Sequence, residues 1–168
     1  MYIKLYRNKA NGNAITGRLV IDGRWFCNTL ERVGYQILAL CYPVKVTQSP
    51  KFKRLLPLVC GVPRSGVERS SSGVERSSSG QSYSTTTQNY STSTQRSAMR
   101  SGIRFHRGTK PEHSTGCILV PVDKEKQLTD LILKAQNDHE EIILEVIDYS
   151  PGTEYGYNTK CPPELQMP

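Results

Sequence analysis

Apolar and polar residues alternate with a period of two along 2–7 and 17–21, and a further run along 24–30 follows the dipeptide Asp22-Gly23. Period two puts every second side chain on one face of an extended chain, so each run predicts a strand. Asp-Gly between two such runs predicts a tight hairpin. A further strand is predicted over 42–47, where Pro43, lacking an N–H for a ladder, points to an edge or a strand start. Residues 49–54 read as a turn and the apolar run 55–62 as a buried segment. Downstream, 102–109 reads as a short strand, followed by a Gly/Pro-punctuated loop and a second apolar strand that Cys117 opens. The period then changes. Leu128, Leu131, Ile132 and Ala135 are spaced i, i+3, i+4, i+7, the one-face pattern of a helix over 123–136 with Asp123 as its N-cap. Residues 141–147 close the series as a strand. This order predicts a mainly β (β+α) fold, a small antiparallel sheet or barrel carrying one packed helix.

One stretch takes no part in that pattern. From Arg64 to Arg100 there is no Leu, Ile, Phe or Trp, and Ser-Gly-Val-Glu-Arg-Ser-Ser occurs twice in succession, at 65–71 and 72–78. A single apolar residue per repeat falls short of the two that a coiled-coil seam requires, so a disordered or loosely draped loop is expected. Residues 1–149 then form a single β-rich domain interrupted by a 64–100 Ser/Thr-rich insert, with 150–168 as an extended tail.

Composition narrows the classes. The net charge is +7 and the pI about 9.2, which suits a polyanion such as nucleic acid or an acidic cell-wall polymer, or simply a solvated surface. Nucleic acid is disfavoured as a partner, because no groove-reading helix or stacked-aromatic motif accompanies the charge. Five cysteines without a Cys-x-x-Cys pair argue against a disulfide framework or a zinc ribbon, and predict reduced thiols. The N-terminus alternates like a strand and has no apolar signal core, and no transmembrane span is found, so a cytoplasmic location with release by lysis or secretion is the default expectation.

Reactive side chains concentrate around Cys117, with His106 and His113 eleven and four positions before it. A cysteine attacks only as thiolate, and an adjacent imidazole or clustered backbone N–H groups can lower its pKa. Gly116 lets a substrate carbonyl approach the backbone, and the N–H groups of Gly116 and Cys117 are candidates for an oxyanion hole. Arg104 or Arg107, depending on strand phase, would hold a substrate carboxylate by bidentate hydrogen bonds. Zinc held by His106, His113 and Cys117 is an alternative in ligand type, but the spacing fits no common pattern. Cys117 as a buried apolar residue and His106 as a satisfied core histidine is the bland alternative.

The runs Gly102-Ile103-Arg104-Phe105-His106-x-Gly108-Thr109 and Thr115-Gly116-Cys117-Ile118-Leu119-Val120 resemble the signature of an uncharacterised domain family of bacteria and phages. Residues 26–31, 42–46 and 49–58 are similar to it as well. That family in turn resembles, distantly, the catalytic domain of L,D-transpeptidases, β-rich enzymes that use a cysteine to crosslink or trim peptidoglycan stem peptides. The resemblance implies Cys117 as nucleophile, Gly116 as the residue before it and His106 as the upstream histidine. Thr115 stands two before the cysteine, where those enzymes carry an activating histidine, so His106 or His113 takes that role here. Leu119 stands where they carry an arginine.

The expectation is a cysteine-dependent enzyme acting on peptidoglycan stem peptides through a thioester. Its catalytic residues would be Cys117, His106 and His113, its substrate-binding residues Arg104, Gly116, Thr115 and Ser114, with no cofactor or metal. The alternative is a non-catalytic wall-binding or phage accessory module.

Overall fold

Eight strands and one helix follow from that patterning in a computed structural model, which describes residues 1–64 and 99–149. The strands are β1 (Tyr2–Arg7), β2 (Ala14–Ile21), β3 (Arg24–Arg32), β4 (Cys41–Gln48), β5 (Leu55–Val59), β6 (Phe105–Arg107), β7 (Ile118–Val120) and β8 (Ile143–Ile147); the helix α1 (Val122–Asn137) lies between β7 and β8. Of the expected 64–100 insert, residues 65–98 lie outside the described residues, as does the expected C-terminal tail, 150–168. The chain leaves and re-enters the domain at one place, since Pro63 pairs with Met99 and the Arg100 N–H donates to the Val62 carbonyl at 2.8 Å.

The strands form one sheet in the order β5-β4-β8-β1-β2-β3-β7-β6. Its two ends meet: Leu58 of β5 pairs with Arg104, and the Val59 N–H donates to the Ile103 carbonyl at 2.9 Å, so the sheet is a nearly closed barrel. Alternation decides what lies inside. Ile3 and Leu5 of β1, Leu19 of β2, Cys27 of β3 and Val44 and Val46 of β4 join one apolar core. The mainly β fold with one packed helix agrees with the sequence pattern, and most of its ladders are antiparallel, with two parallel exceptions. β8 runs parallel to β1, and β6 runs parallel to β7. The 108–117 connection between β6 and β7 is a crossover that returns the chain to the same end, which makes that pairing parallel.

The helix packs against β4, β5 and β6. It starts one residue earlier than expected, with Pro121 in the cap position and no side-chain cap, so Asp123 lies in the first turn and does not cap it. Its buried face also differs: Leu128, Ile132 and Ala135 are buried as the spacing predicts, but Leu131 is 41% exposed. Glu125 and Thr129 take the inward positions instead, and the Thr129 hydroxyl tolerates burial by donating to the Glu125 carbonyl at 2.8 Å. Among the cysteines, Cys27, Cys60 and Cys117 are free, but Cys41 is disulfide-bonded, which corrects the expectation that every thiol is reduced. Among the described residues no helix is long and apolar enough to cross a membrane.

Candidate active site

Residues 103–106 alternate Ile, Arg, Phe, His, and the two faces of that segment have different fates. Ile103 and Phe105 join the apolar core together with Ile118 and Val120, while Arg104 and His106 project to the other side. In the parallel β6–β7 ladder His106 is level with Leu119, and the Ile118 N–H donates to the Arg104 carbonyl at 3.0 Å. Cys117 therefore emerges beside Arg104 and diagonal to His106, on their face of the sheet.

The opposite wall is the turn at 49–54. The Ser49 N–H donates to the Arg54 carbonyl at 2.8 Å and the Lys53 N–H to the Ser49 carbonyl at 2.9 Å, which closes the turn. It carries Phe52 over the imidazole, with ring centroids 4.6 Å apart and planes tilted by 38°. Ser49, Pro50, Lys51 and Phe52 from this turn face Gly102, Arg104, His106, His113, Thr115 and Cys117 across a cavity of about 290 Å³.

One hydrogen bond defines the state of His106. Its Nδ1 lies 3.0 Å from the Arg107 carbonyl oxygen, which can only accept. Nδ1 therefore carries the proton of the neutral ring, leaving the Nε2 lone pair as the basic position. Burial lowers the His106 pKa from 6.5, with help from Lys51 and Arg54, while the Arg107 carbonyl and the Glu125 charge act against that shift. The Cys117 thiol points toward the Gly102 carbonyl at 3.7 Å. Burial pushes its pKa upward, and this outweighs the opposing pull of the Arg104 N–H and of the cations Lys51, Arg100 and Arg104. The resting pair is thus a neutral thiol beside a neutral imidazole. An acidified cysteine, expected from the neighbouring histidine, is not what this environment produces.

The loop before Cys117 is shaped by its own polar groups. The Ser114 hydroxyl accepts from the Gly116 N–H at 3.0 Å and donates to the Cys117 carbonyl at 2.6 Å. Gly116 has φ +124°, and a Cβ there would run into the Arg100 guanidinium. That guanidinium donates to the Tyr35 carbonyl at 2.9 Å and to the Thr115 carbonyl at 2.6 Å, fixing the loop from outside. The Cys117 N–H has no acceptor among the described residues.

The chain matches no protein-family model, no curated protein and no solved structure.

Of the expected site residues, Cys117, His106 and His113 line the same cavity; His113 ends the short 3-10 turn Pro111–His113 and is exposed. Arg104 lines it too, but the Nη donors that the expected bidentate carboxylate clamp needs are already engaged. Nη1 donates to the carbonyls of Thr47 and Leu56 at 3.1 and 2.8 Å, and Nη2 to the Thr47 hydroxyl and the Gln48 carbonyl at 2.8 and 3.3 Å. Arg104 ties β4 and β5 to β6 and leaves a positive charge beside the thiol. Arg107, the alternative clamp, is exposed and does not line this cavity. Ser114 and Gly116, expected to bind substrate, do not line the cavity, and their hydroxyl and N–H are bonded to each other. Thr115 offers its carbonyl to Arg100. The side chains of His106, His113 and Cys117 do not converge as metal ligands, and no group of three His, Cys, Asp or Glu among the described residues does.

Four contributors had no site signal in the sequence: Lys51, Phe52, Arg100 and Glu125. The Glu125 carboxylate accepts from the Arg107 N–H at 2.6 Å and from Arg54 Nη2 at 2.8 Å. Arg54 in turn lies over the Phe52 ring, 5.4 Å from its centroid. Lys51, Lys53 and Arg54 are conspicuous in the sequence only as its one tight basic group.

Proposed function

We propose that the protein is a cysteine-dependent acyltransferase or peptidase, with Cys117 as nucleophile and His106 as general base. The observation that carries this is the His106 ring, held through Nδ1 by the Arg107 carbonyl, on the same strand face and cavity as Cys117. A base oriented by a third group beside a nucleophile is the arrangement that covalent catalysis requires.

His106 Nε2 takes the thiol proton as Cys117 sulfur attacks a peptide carbonyl, and the carbonyl oxygen receives the displaced electron pair. The unbonded Cys117 N–H is a donor available to that oxygen. Collapse restores the C=O bond and breaks the C–N bond, and the amine departs with the proton from the imidazolium, leaving a thioester on Cys117. Water or a second amine then attacks the thioester, gives its proton to His106, and sulfur leaves and regains that proton. A resting neutral pair suits this sequence, since the base removes the proton during attack. Peptidoglycan stem peptides are the proposed substrates, supported by the resemblance of 102–109 and 115–120 to the phage and bacterial family and, through it, to L,D-transpeptidases.

The test is turnover of purified stem peptides followed by mass spectrometry. Cys117→Ala should abolish turnover and the acyl adduct, and His106→Ala should slow turnover by about 10²–10⁴-fold. Full turnover in Cys117→Ala would refute the proposal. Retention on isolated cell wall that is unchanged by alkylating Cys117, with no turnover at all, would favour the binding-module alternative.

A further inference from the structure

We propose that the Cys117 cavity takes an acyl donor bearing a carboxylate close to its reacting carbonyl, and that the Lys51 ammonium is the group that pairs with it. Resting on the reading of Cys117 as nucleophile, the inference narrows the substrate to anions and names a specificity residue.

The cavity wall includes Lys51, Arg104, His106 and His113, and not one Asp or Glu. Arg104 is only 6% exposed, yet neither it nor Arg100 has a carboxylate within ion-pair distance among the described residues. Elsewhere the same chain pairs its buried charge: Arg7 is held by Glu31 and Asp148. A buried cation left without a counter-charge is costly, and an anionic ligand would offset that cost. Arg104 can supply field but little contact, because its Nη groups already donate to backbone and hydroxyl oxygens, and Arg100 lies outside the cavity wall.

Lys51 differs from them. Its ammonium makes no hydrogen bond or ion pair among the described residues and lies 5.3 Å from the centroid of Phe52. Phe52 is stacked on His106, so this cation belongs to the wall that covers the reacting pair. A strongly hydrated point charge on a flexible stem can follow a carboxylate in several poses, which suits a peptide end entering a cavity of about 290 Å³.

Two alkylating reagents of similar size and opposite character test this without any substrate. Iodoacetate carries a carboxylate and iodoacetamide is neutral, and the rates at Cys117 are read by peptide mass spectrometry in the full chain. Wild type is compared with Lys51→Gln and Lys51→Glu. Lys51 also influences thiol ionisation, but that affects both reagents alike and cancels in the ratio of their rates. The iodoacetate-to-iodoacetamide ratio should fall by about three- to tenfold in Lys51→Gln, fall further in Lys51→Glu, and fall in wild type at high salt. A reactive Cys117 whose ratio is the same in all three proteins would overturn the carboxylate assignment and leave the nucleophile standing. A Cys117 inert to both reagents throughout would overturn the nucleophile and the carboxylate assignment together.

Discussion

At His106 the distribution of protons follows from one acceptor. The Arg107 carbonyl fixes Nδ1–H, so Nε2 is the only position from which the ring can act as a base. Burial holds the imidazolium below its ordinary 6.5, and a base with a lowered pKa stays competent further into acid. The acid limb of kcat/KM should therefore fall below pH 6.5 and disappear in His106→Ala, as a pH–rate series would show. Cys117 moves the other way: its thiol is raised from 9.0, so alkylation by iodoacetamide should rise through an apparent pKa above that value. An apparent pKa at or below about 7 would instead mean a preformed thiolate–imidazolium pair. The sequence makes Cys117 and His106 visible as reactive types at short spacing. It does not reveal their ionisation, because desolvation depends on what covers them, and Phe52 arrives from a turn more than fifty positions upstream of His106.

Among the elements, α1 and the 49–54 turn act together through Glu125. This carboxylate is 8% exposed and binds both the Arg107 N–H and Arg54, whose guanidinium rests on Phe52. A buried charged acceptor with two part-buried donors contributes more than an exposed pair on the same helix such as Lys126 and Asp130, whose side chains are 83% and 57% exposed. Glu125→Gln should lower stability by about 1.5–3 kcal/mol in urea unfolding, whereas Asp130→Asn should change it by less than about 0.5 kcal/mol. The helix itself is legible from its spacing, but its exact face is not. A pattern counting only apolar residues places Leu131 inward, and it cannot foresee that Glu125 and Thr129 find hydrogen-bond partners that favour a different rotation.

Across the whole molecule, one buried ion pair links strands that are not neighbours. Arg7 of β1 donates from Nε and Nη2 to both oxygens of Glu31 of β3, each at 2.7 Å, and the two residues are 2% and 1% exposed. Glu31→Gln leaves most of that guanidinium charge buried and should cost about 3–5 kcal/mol, read as a lower midpoint in chemical denaturation. A change under about 1 kcal/mol would mean that Asp148, its second partner, compensates. Local patterning by itself determined the strands at 2–7, 17–21, 24–30, 42–47 and 141–147 and the single helix, because apolar runs, their spacing and the turn residues between them are properties of neighbouring positions. It also marked Cys117, His106 and His113, since reactive side chains are recognisable by type. The tertiary structure alone decided that β6 and β7 pair in parallel. A hairpin would bring the two strand ends nearest the loop together, whereas the crossover at 108–117 returns the chain and sets Cys117 beside Arg104. It also decided that Arg104 points at carbonyls and that Lys51 faces the thiol, because barrel closure between β5 and β6 brings together residues that lie far apart in the chain.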